Sequence, residues 1–181
     1  MTNFKRKTIG HSFRIEEESL KILTEEAERQ GISVNALTNK ILNNYCQNWR
    51  WSERLGELSL SRSLVNNIFE CLPKEKIVEI AKISGSTGAK DALRTMGVNP
   101  TYDNLMQFIK NNIAEGSKLF DYNHHHRDKK DVIHLRHELG LKWSIFIATQ
   151  TATMFESILN KQVKSEVFEN SATIEITASP I

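Results

Sequence analysis

A short basic segment of alternating polarity, followed by two amphipathic helix patterns, constrains the fold of this 181-residue chain more than any other feature. The segment from Thr8 to Ile15 has the two-residue period of a strand and places on one face Ile9, His11, Phe13 and Ile15. A strand of this length cannot form a sheet alone. We therefore expect it to pair with the same strand of a second copy, as a two-stranded ribbon whose basic face fits a DNA groove.

Two helix patterns follow the strand pattern and are separated by Gly31. Helix A is predicted from about Glu16 to Gln30, with Gly31 as its left-handed cap. Helix B is predicted from Val34 to about Trp49, with Ser33 as its N-cap. The backbone N–H groups at the start of helix B form an expected anchor for a phosphate.

Positive charge concentrates at the N-terminus, although the whole chain carries a net charge of only +2. The first fifteen residues contain no acidic side chain and four basic ones, Lys5, Arg6, Lys7 and Arg14. An element that binds the phosphate backbone of DNA needs this charge distribution. The simpler interpretation, a helical hairpin with a basic tail, does not account for strand, cap and turn in one compact unit.

The segment Lys5–Trp49 resembles the ribbon-helix-helix domain of Arc and the methionine repressor. Strand, fifteen-residue helix, G-[IVL]-S-x-[NS] turn and second helix occur in the same order. In that family two chains pair their strands antiparallel, and the ribbon enters the major groove. The resemblance implies base-facing Ser12 and Arg14, preceded by Gly10 or Thr8, and phosphate contacts from Ser33 and Asn35. Gly10 stands where family strands often carry a larger polar or basic residue. Lys5, Arg6 and Lys7 are expected to contact the phosphate backbone.

The remaining chain predicts an α+β fold. Residues 51–115 are expected to be helical, with helices at 61–72, from Pro73, at 90–96 and at 101–114, and with SGSTG at 84–88 as a loop. Residues 116–181 predict an antiparallel β-β-α-β-β core. Its elements are Lys118–Tyr122, Asp131–His137, Leu141–Leu159, Val163–Phe168 and Ala172–Thr177. The expected domains are 1–50, 51–115 and 116–181, with 51–181 as one domain in the alternative.

The element order of the last third, with the stretch HLRHELGLKWS, resembles small-molecule-binding domains of the 4-vinyl reductase type. In such domains a hairpin, a long helix and a final strand pair enclose an apolar pocket. The resemblance implies a ligand site near His137 and Trp143. For His137 the plainer interpretation, a packed residue that caps the long helix, ranks first.

Five of the six histidines lie between positions 124 and 137, which raises the question of a transition metal. The candidate ligands are His124, His126 and His134. We place His124–His126 in a polar loop, where consecutive side chains point in different directions, and no HExxH or CxxC spacing accompanies them. Solvated loop histidines are the preferred interpretation, and no cofactor is required.

The other motifs favour a non-enzymatic protein. No GxSxG elbow is present, and SGSTG lacks the lysine of a P-loop. Cys46 and Cys71 fall in helix patterns and are expected to be buried free thiols in the reducing cytoplasm. No apolar run reaches the ~18 residues of a membrane span.

These patterns together predict a dimeric or higher homo-oligomeric DNA-binding transcriptional regulator, of the repressor type that the resemblance implies. Its partner would be double-stranded DNA, and its C-terminal domain would sense a small-molecule effector or stabilise the oligomer. Two alternatives stay open: a protein-interaction module without an operator, and a metal-responsive regulator that uses the C-terminal histidines.

Overall fold

The structure, a computed structural model, describes residues 9–116, 118, 120–127 and 130–177. The chain divides into two compact units, Met1–Asn43 and Asn44–Ile181. Part of the predicted DNA-contacting set lies outside the described residues: Lys5, Arg6, Lys7 and Thr8.

The first unit contains the two predicted helices. Helix α1 spans Glu17–Gln30, and α2 begins at Val34 and is α-helical to Asn44. Gly31 follows α1 with φ 65°, a left-handed conformation that costs glycine little because it has no Cβ. The N-cap of α2 is Ser33, whose Oγ accepts a hydrogen bond from the Ala36 N–H at 3.1 Å. The predicted caps on both sides of the turn are therefore confirmed.

The ribbon itself is not seen in the single chain. Residues 9–16 form neither helix nor strand. A strand is defined by hydrogen bonds to a neighbouring strand. Since the expected neighbour belongs to a second copy, one chain cannot form the ribbon by itself.

The second unit begins with a helical half. Its α-helices are α3 Arg50–Leu55, α4 Arg62–Cys71, α5 Lys74–Ile83, α6 Ala89–Thr95 and α7 Tyr102–Gln107. Three segments of wider π-helix, with i→i+5 hydrogen bonding, lie before α3, before α6 and after α7. These segments are Tyr45–Trp49, Ser84–Gly88 and Phe108–Gly116.

The predicted starts of two of these helices are confirmed by their caps. Ser61 Oγ accepts from the Leu64 N–H at 3.3 Å, and Thr101 Oγ1 accepts from the Asn104 N–H at 3.3 Å. The predicted loop at SGSTG is wrong, because Ser84–Gly88 continues the helical path from α5 into α6.

The last part of the chain is a four-stranded antiparallel sheet with one long helix, and the α+β class is confirmed. Its elements are β1 Asp121–Arg127, β2 Lys130–Arg136, α8 Gly140–Leu159, β3 Val163–Phe168 and β4 Ser171–Thr177. The strand order is β1-β2-β4-β3, so β1 and β3 are the edges. The predicted β-β-α-β-β order therefore holds.

The first strand lies later in the chain than predicted. It begins at Asp121 instead of Lys118, and it contains all three consecutive histidines, so their predicted place in a loop is wrong. The reason is its pairing with β2, in which Asp121 is opposite Arg136 and Arg127 is opposite Lys130. Cross-strand hydrogen bonds thus impose an extended backbone on a sequence with no apolar alternation.

Helix α8 packs against the sheet and against the helical half. Ile147 and Phe155 of α8 and Ile133 and Ile174 of the sheet are fully buried. On its other side α8 meets Ser84–Gly88 so closely that a Cβ on Gly85 would lie 2.3 Å from the carbonyl oxygen of Gln150. Glycine is therefore required at position 85, because any larger residue would overlap the backbone of α8.

Two further expectations concern the surface. Cys46 and Cys71 are exposed, which corrects the prediction of buried thiols. Cys46 lies on the outer side of a π-helical turn, and Cys71 is the last residue of α4, where the chain turns towards Pro73.

Within the described ranges no helix is both long and apolar enough to cross a membrane.

Candidate functional site

The first unit leaves most of its apolar side chains uncovered. Among residues 9–43 only Ala27 and Leu37 are buried. Phe13 is 55% exposed and Ile22 59% exposed, and exposed apolar side chains also occur at Ile15, Leu20 and Leu42. Two helices with this pattern bury too little apolar surface to be stable alone, and several exposed apolar side chains in so small a unit are typical of a protein interface.

All residues that are predicted to contact DNA and that the structure describes belong to the first unit. Gly10, Ser12 and Arg14 are exposed in the segment before α1, which is neither helix nor strand. Asn35 is exposed in the first turn of α2, whereas the Ser33 hydroxyl already accepts the Ala36 N–H. Ser33 therefore orders the turn, and the Asn35 side chain is available to solvent.

The predicted metal ligands do not come together. His124 and His126 lie on one face of β1, and His134 lies on the opposite face of β2, since its cross-strand partner is Asn123. His134 stacks on His125 with ring centroids 5.0 Å apart, and its Nδ1 is 3.0 Å from Thr173 Oγ1. In the part of the chain that the structure describes, no group of three His, Cys, Asp or Glu side chains is placed to hold a metal ion.

His124 and His126 instead surround a carboxylate. Asp131 Oδ1 accepts from His124 Nε2 at 2.6 Å and from His126 Nδ1 at 3.4 Å, and Oδ2 accepts from the Tyr102 hydroxyl at 2.6 Å. Burial alone would raise the pKa of Asp131, but these hydrogen bonds outweigh it and lower that pKa below its usual range. Burial, with the charge of Asp131, raises the pKa of Tyr122 to about 12.

The surroundings of Asp131 are open and polar. A depression of about 740 Å³ beside it is lined by both Tyr102 and Tyr122 and by Lys110. All three donors around the carboxylate are satisfied by it, and we therefore interpret this cluster as a structural link between α7 and the edge of the sheet.

His137 acts as an anchor for the long helix. Its Nδ1 accepts from the Leu139 N–H at 3.0 Å, so the neutral ring donates from Nε2 to Ser144 Oγ at 2.8 Å. Ser144 in turn donates to the carbonyl oxygen of Glu169 at 3.2 Å. Burial lowers the pKa of His137 to about 4, and the ring is neutral at pH 7. The side chain is fully engaged, as expected for the capping role.

A cavity of about 590 Å³ lies within the second unit, in the size range of about 300–1,000 Å³ typical of small-molecule sites. Much of its wall is buried and apolar and comes from Ala89, Phe108, Phe120, Trp143 and Met154. Exposed Glu57 and Leu58 also line it and mark its solvent side. The predicted ligand residue Trp143 thus lies at this cavity. His137 lines a separate, smaller one of about 240 Å³.

Trp143 is the most unusual residue of the cavity. It is 5% exposed, meets Phe69 edge-to-face at 4.8 Å and stacks on Phe146 at 5.1 Å. Its indole N–H is buried and has no hydrogen-bond partner among the described residues. A buried donor without a partner costs about 1–3 kcal/mol.

All three π-helical segments contribute to the cavity wall. Asn48 comes from Tyr45–Trp49, Ser84 and Gly88 from the second segment, and Phe108, Asn112 and Ile113 from the third. Insertions of this type shift the register of a helix and occur frequently at functional sites. No sequence pattern predicts these segments, and among the lining residues the sequence predicts only Trp143 as a ligand residue. Small residues at 84–92 were the available signal.

Comparisons with known proteins identify no relative: no protein-family model, no curated protein and no solved structure matches this chain.

Proposed function

We propose that this protein is a dimeric DNA-binding transcriptional regulator, in which two copies pair residues 8–15 as a ribbon for the major groove. One observation carries the proposal: the described part of the first unit combines an exposed segment that holds Arg14 with apolar side chains that one chain leaves uncovered. Pairing with a second copy would cover Phe13 and Ile15 and leave Ser12 and Arg14 facing outwards, because neighbouring side chains of a strand alternate.

The turn between α1 and α2 supports the same arrangement. Ser33 caps α2 and fixes the backbone at its first turn, where the positive end of the helix dipole favours an anion. The N-terminus of each α2 would then hold a DNA phosphate beside the ribbon, with Asn35 as an additional donor. The C-terminal α+β unit would sense an effector or stabilise the oligomer.

The test is an electrophoretic mobility-shift series with fragments of the upstream region of the protein's own gene. Replacing Arg14 with alanine removes one cation per chain, hence two per dimer. The slope of log affinity against log salt should become shallower by about two, and specific affinity should fall at least tenfold. Lys21→Ala is the matched control, since it removes an exposed cation from α1 at no predicted contact.

Equal salt slopes for wild type and Arg14→Ala would overturn the ribbon assignment. A protein that dimerises through its first unit but binds no upstream fragment would instead be a protein-interaction module. A transition metal that is stoichiometric in untagged protein and changes DNA affinity would favour the metal-responsive alternative.

A further inference from the structure

In the part of the chain that the structure describes, strand β3 is an open edge of the sheet, and all of its residues except Val163 are exposed. The Thr177 N–H donates to the Gln162 carbonyl oxygen at 3.2 Å, which fixes the alternation of the β3–β4 ladder. Because bonded and non-bonded pairs alternate in antiparallel strands, the N–H and C=O groups of Val163, Ser165 and Val167 point away from β4. These groups make no backbone hydrogen bond to another described segment, and they form a template for one further strand.

The two faces of β3 differ in polarity. Val163, Ser165 and Val167 lie opposite buried residues of β4, so their side chains share the face of the sheet that α8 covers. Lys164 and Glu166 lie on the other face, where Lys164 Nζ and Glu166 Oε1 are 3.1 Å apart. Both of these side chains are largely exposed, at 69% and 54%. The edge sequence VKSEV therefore carries opposite charges at equal distances on the two sides of Ser165.

We propose that β3 pairs antiparallel with β3 of a second copy of this chain, about a twofold axis at Ser165, so that the two sheets become one. In this register Lys164 of each copy lies opposite the partner's Glu166, which gives two ion pairs between the chains. Val163 of each copy lies opposite the partner's Val167, and the outward N–H and C=O groups of both strands are satisfied. This contact goes beyond the proposed function, because it belongs to the second unit and requires no DNA.

The positions of the charges select this register. Outward groups of one strand must meet outward groups of the other, so the axis passes through a residue and not between two residues. An axis at Lys164 or at Glu166 would place two identical charges opposite each other, which is destabilising. An axis at Val163 or at Val167 would leave both charges without an opposite charge on the partner. Ser165 is therefore the position that pairs both charges.

A second copy of the chain is the occupant that this edge favours. A strand of unrelated sequence would not match the two charges, and charged side chains on an edge oppose such pairing. The second copy supplies both counter-charges, and the twofold axis makes each favourable contact occur twice. The apolar pairs act in the same direction, since Val167 is 37% exposed in the single chain and is covered by the partner's Val163 in the pair.

Charge reversal in the full chain tests the register. Lys164→Glu gives β3 two acidic side chains, and Glu166→Lys gives it two basic ones. Each variant repels its own copy and attracts the other variant, although the ion pair within the chain is lost in both. In fluorescence-detected sedimentation, labelled Glu166→Lys should bind unlabelled Lys164→Glu at least about tenfold more tightly than it binds its own unlabelled copy. The ribbon contact is the same in both mixtures and does not affect this ratio.

The exposed ion pair of α5 provides the matched control. Lys76 Nζ and Glu79 Oε2 are 2.7 Å apart, and both side chains are more than half exposed, at 61% and 57%. Lys76→Glu and Glu79→Lys change the net charge of the chain in the same way as the β3 variants do. They lie away from the edge of the sheet, so labelled Glu79→Lys should bind unlabelled Lys76→Glu and its own unlabelled copy with equal affinity.

A disulfide tests the position of the axis. Cys46 and Cys71 are first replaced by serine, because both native thiols are exposed. Ser165→Cys then places two sulfurs at the axis, with Cα atoms about 5.5 Å apart, inside the usual range of a disulfide. Glu166→Cys is the control, since it lies diagonally from its own copy at about 7–8 Å. Under mild oxidation Ser165→Cys should form a covalent dimer at least about tenfold faster than Glu166→Cys, with an unchanged circular dichroism spectrum.

Equal affinities in the two β3 mixtures, or equal oxidation rates at positions 165 and 166, would overturn the proposed contact. The same preference in the α5 control would also overturn it, because net charge alone would then explain the result. Both measurements are made without DNA. If they succeed with a protein that binds no upstream fragment, the contact between the β3 strands stands and the proposed function is removed.

Discussion

The neutral state of His137 makes the stability of the second unit depend on pH. The folded ring has a pKa of about 4, against an ordinary value of 6.5. Between these values the unfolded chain binds more protons than the folded one, so stability rises with pH and is lost as pH falls. With these two pKa values, the free energy of unfolding should decrease by about 2 kcal/mol between pH 7 and pH 5.

The measurement is urea unfolding at pH 7 and pH 5, followed by tryptophan fluorescence, since Trp49, Trp51 and Trp143 all belong to the second unit. His137→Asn removes the titrating group and retains an oxygen that can accept from the Leu139 N–H. This variant should be less stable at pH 7, because Ser144 loses its donor, but its stability should change little between the two pH values. The matched control is His134→Asn, on the exposed face of the sheet, which should keep the wild-type pH dependence.

The titration of Asp131 does not contribute to the change in stability between pH 7 and pH 5. Its folded pKa is lowered, so its contribution is present above its ordinary value of 3.8 and is lost only below it. The same loss of stability from pH 7 to pH 5 in wild type and His137→Asn would refute the assignment of the effect to His137.

Two further predictions concern the backbone. Gly85→Ala should destabilise the second unit by about 1–3 kcal/mol in thermal unfolding, because its Cβ would overlap the Gln150 carbonyl oxygen. Gly88→Ala, in a helical position with room for a Cβ, should be neutral or stabilise it by up to about 1 kcal/mol, and equal losses in both variants would contradict the close approach. Ser33→Ala should cost about 1 kcal/mol through the lost N-cap of α2, seen as faster amide exchange in its first turn, and unchanged exchange would show that the cap contributes nothing.

The elements that follow local rules could be predicted from the sequence. Alternation placed the last two strands at 163–168 and 172–177, and the structure has them at Val163–Phe168 and Ser171–Thr177. An apolar stripe placed the long helix at 141–159, one residue short of Gly140–Leu159. Capping side chains located the helix starts at Ser33 and Thr101, and apolar spacing located the start at Ser61, because both signals span only a few residues.

The elements that depend on distant partners could not be predicted. Strand β1 is polar throughout, and only its pairing with β2 makes it a strand. The helical state of Ser84–Gly88 depends on contact with α8, about sixty residues later in the chain. The cavity combines these effects, because its wall joins α3, α6 and α8 and contains π-helical segments that no apolar periodicity predicts. The sequence predicts Trp143 as a ligand residue and the structure places it at the cavity, whereas the missing partner of its N–H is a property of the packed structure.

The histidines of β1 have a consequence for aggregation. This strand is one edge of the sheet, and β3, with Lys164 and Glu166 paired at 3.1 Å, is the other. An open edge invites a strand from another molecule, and charged or polar side chains discourage it. Two β1 strands that met antiparallel in full register would place His124 opposite His124 and His125 opposite Asn123, so the centre of the pairing would hold no apolar contact. The sheet therefore resists the fibre-like stacking to which exposed edges are prone, and in this view the imidazoles protect the protein's solubility.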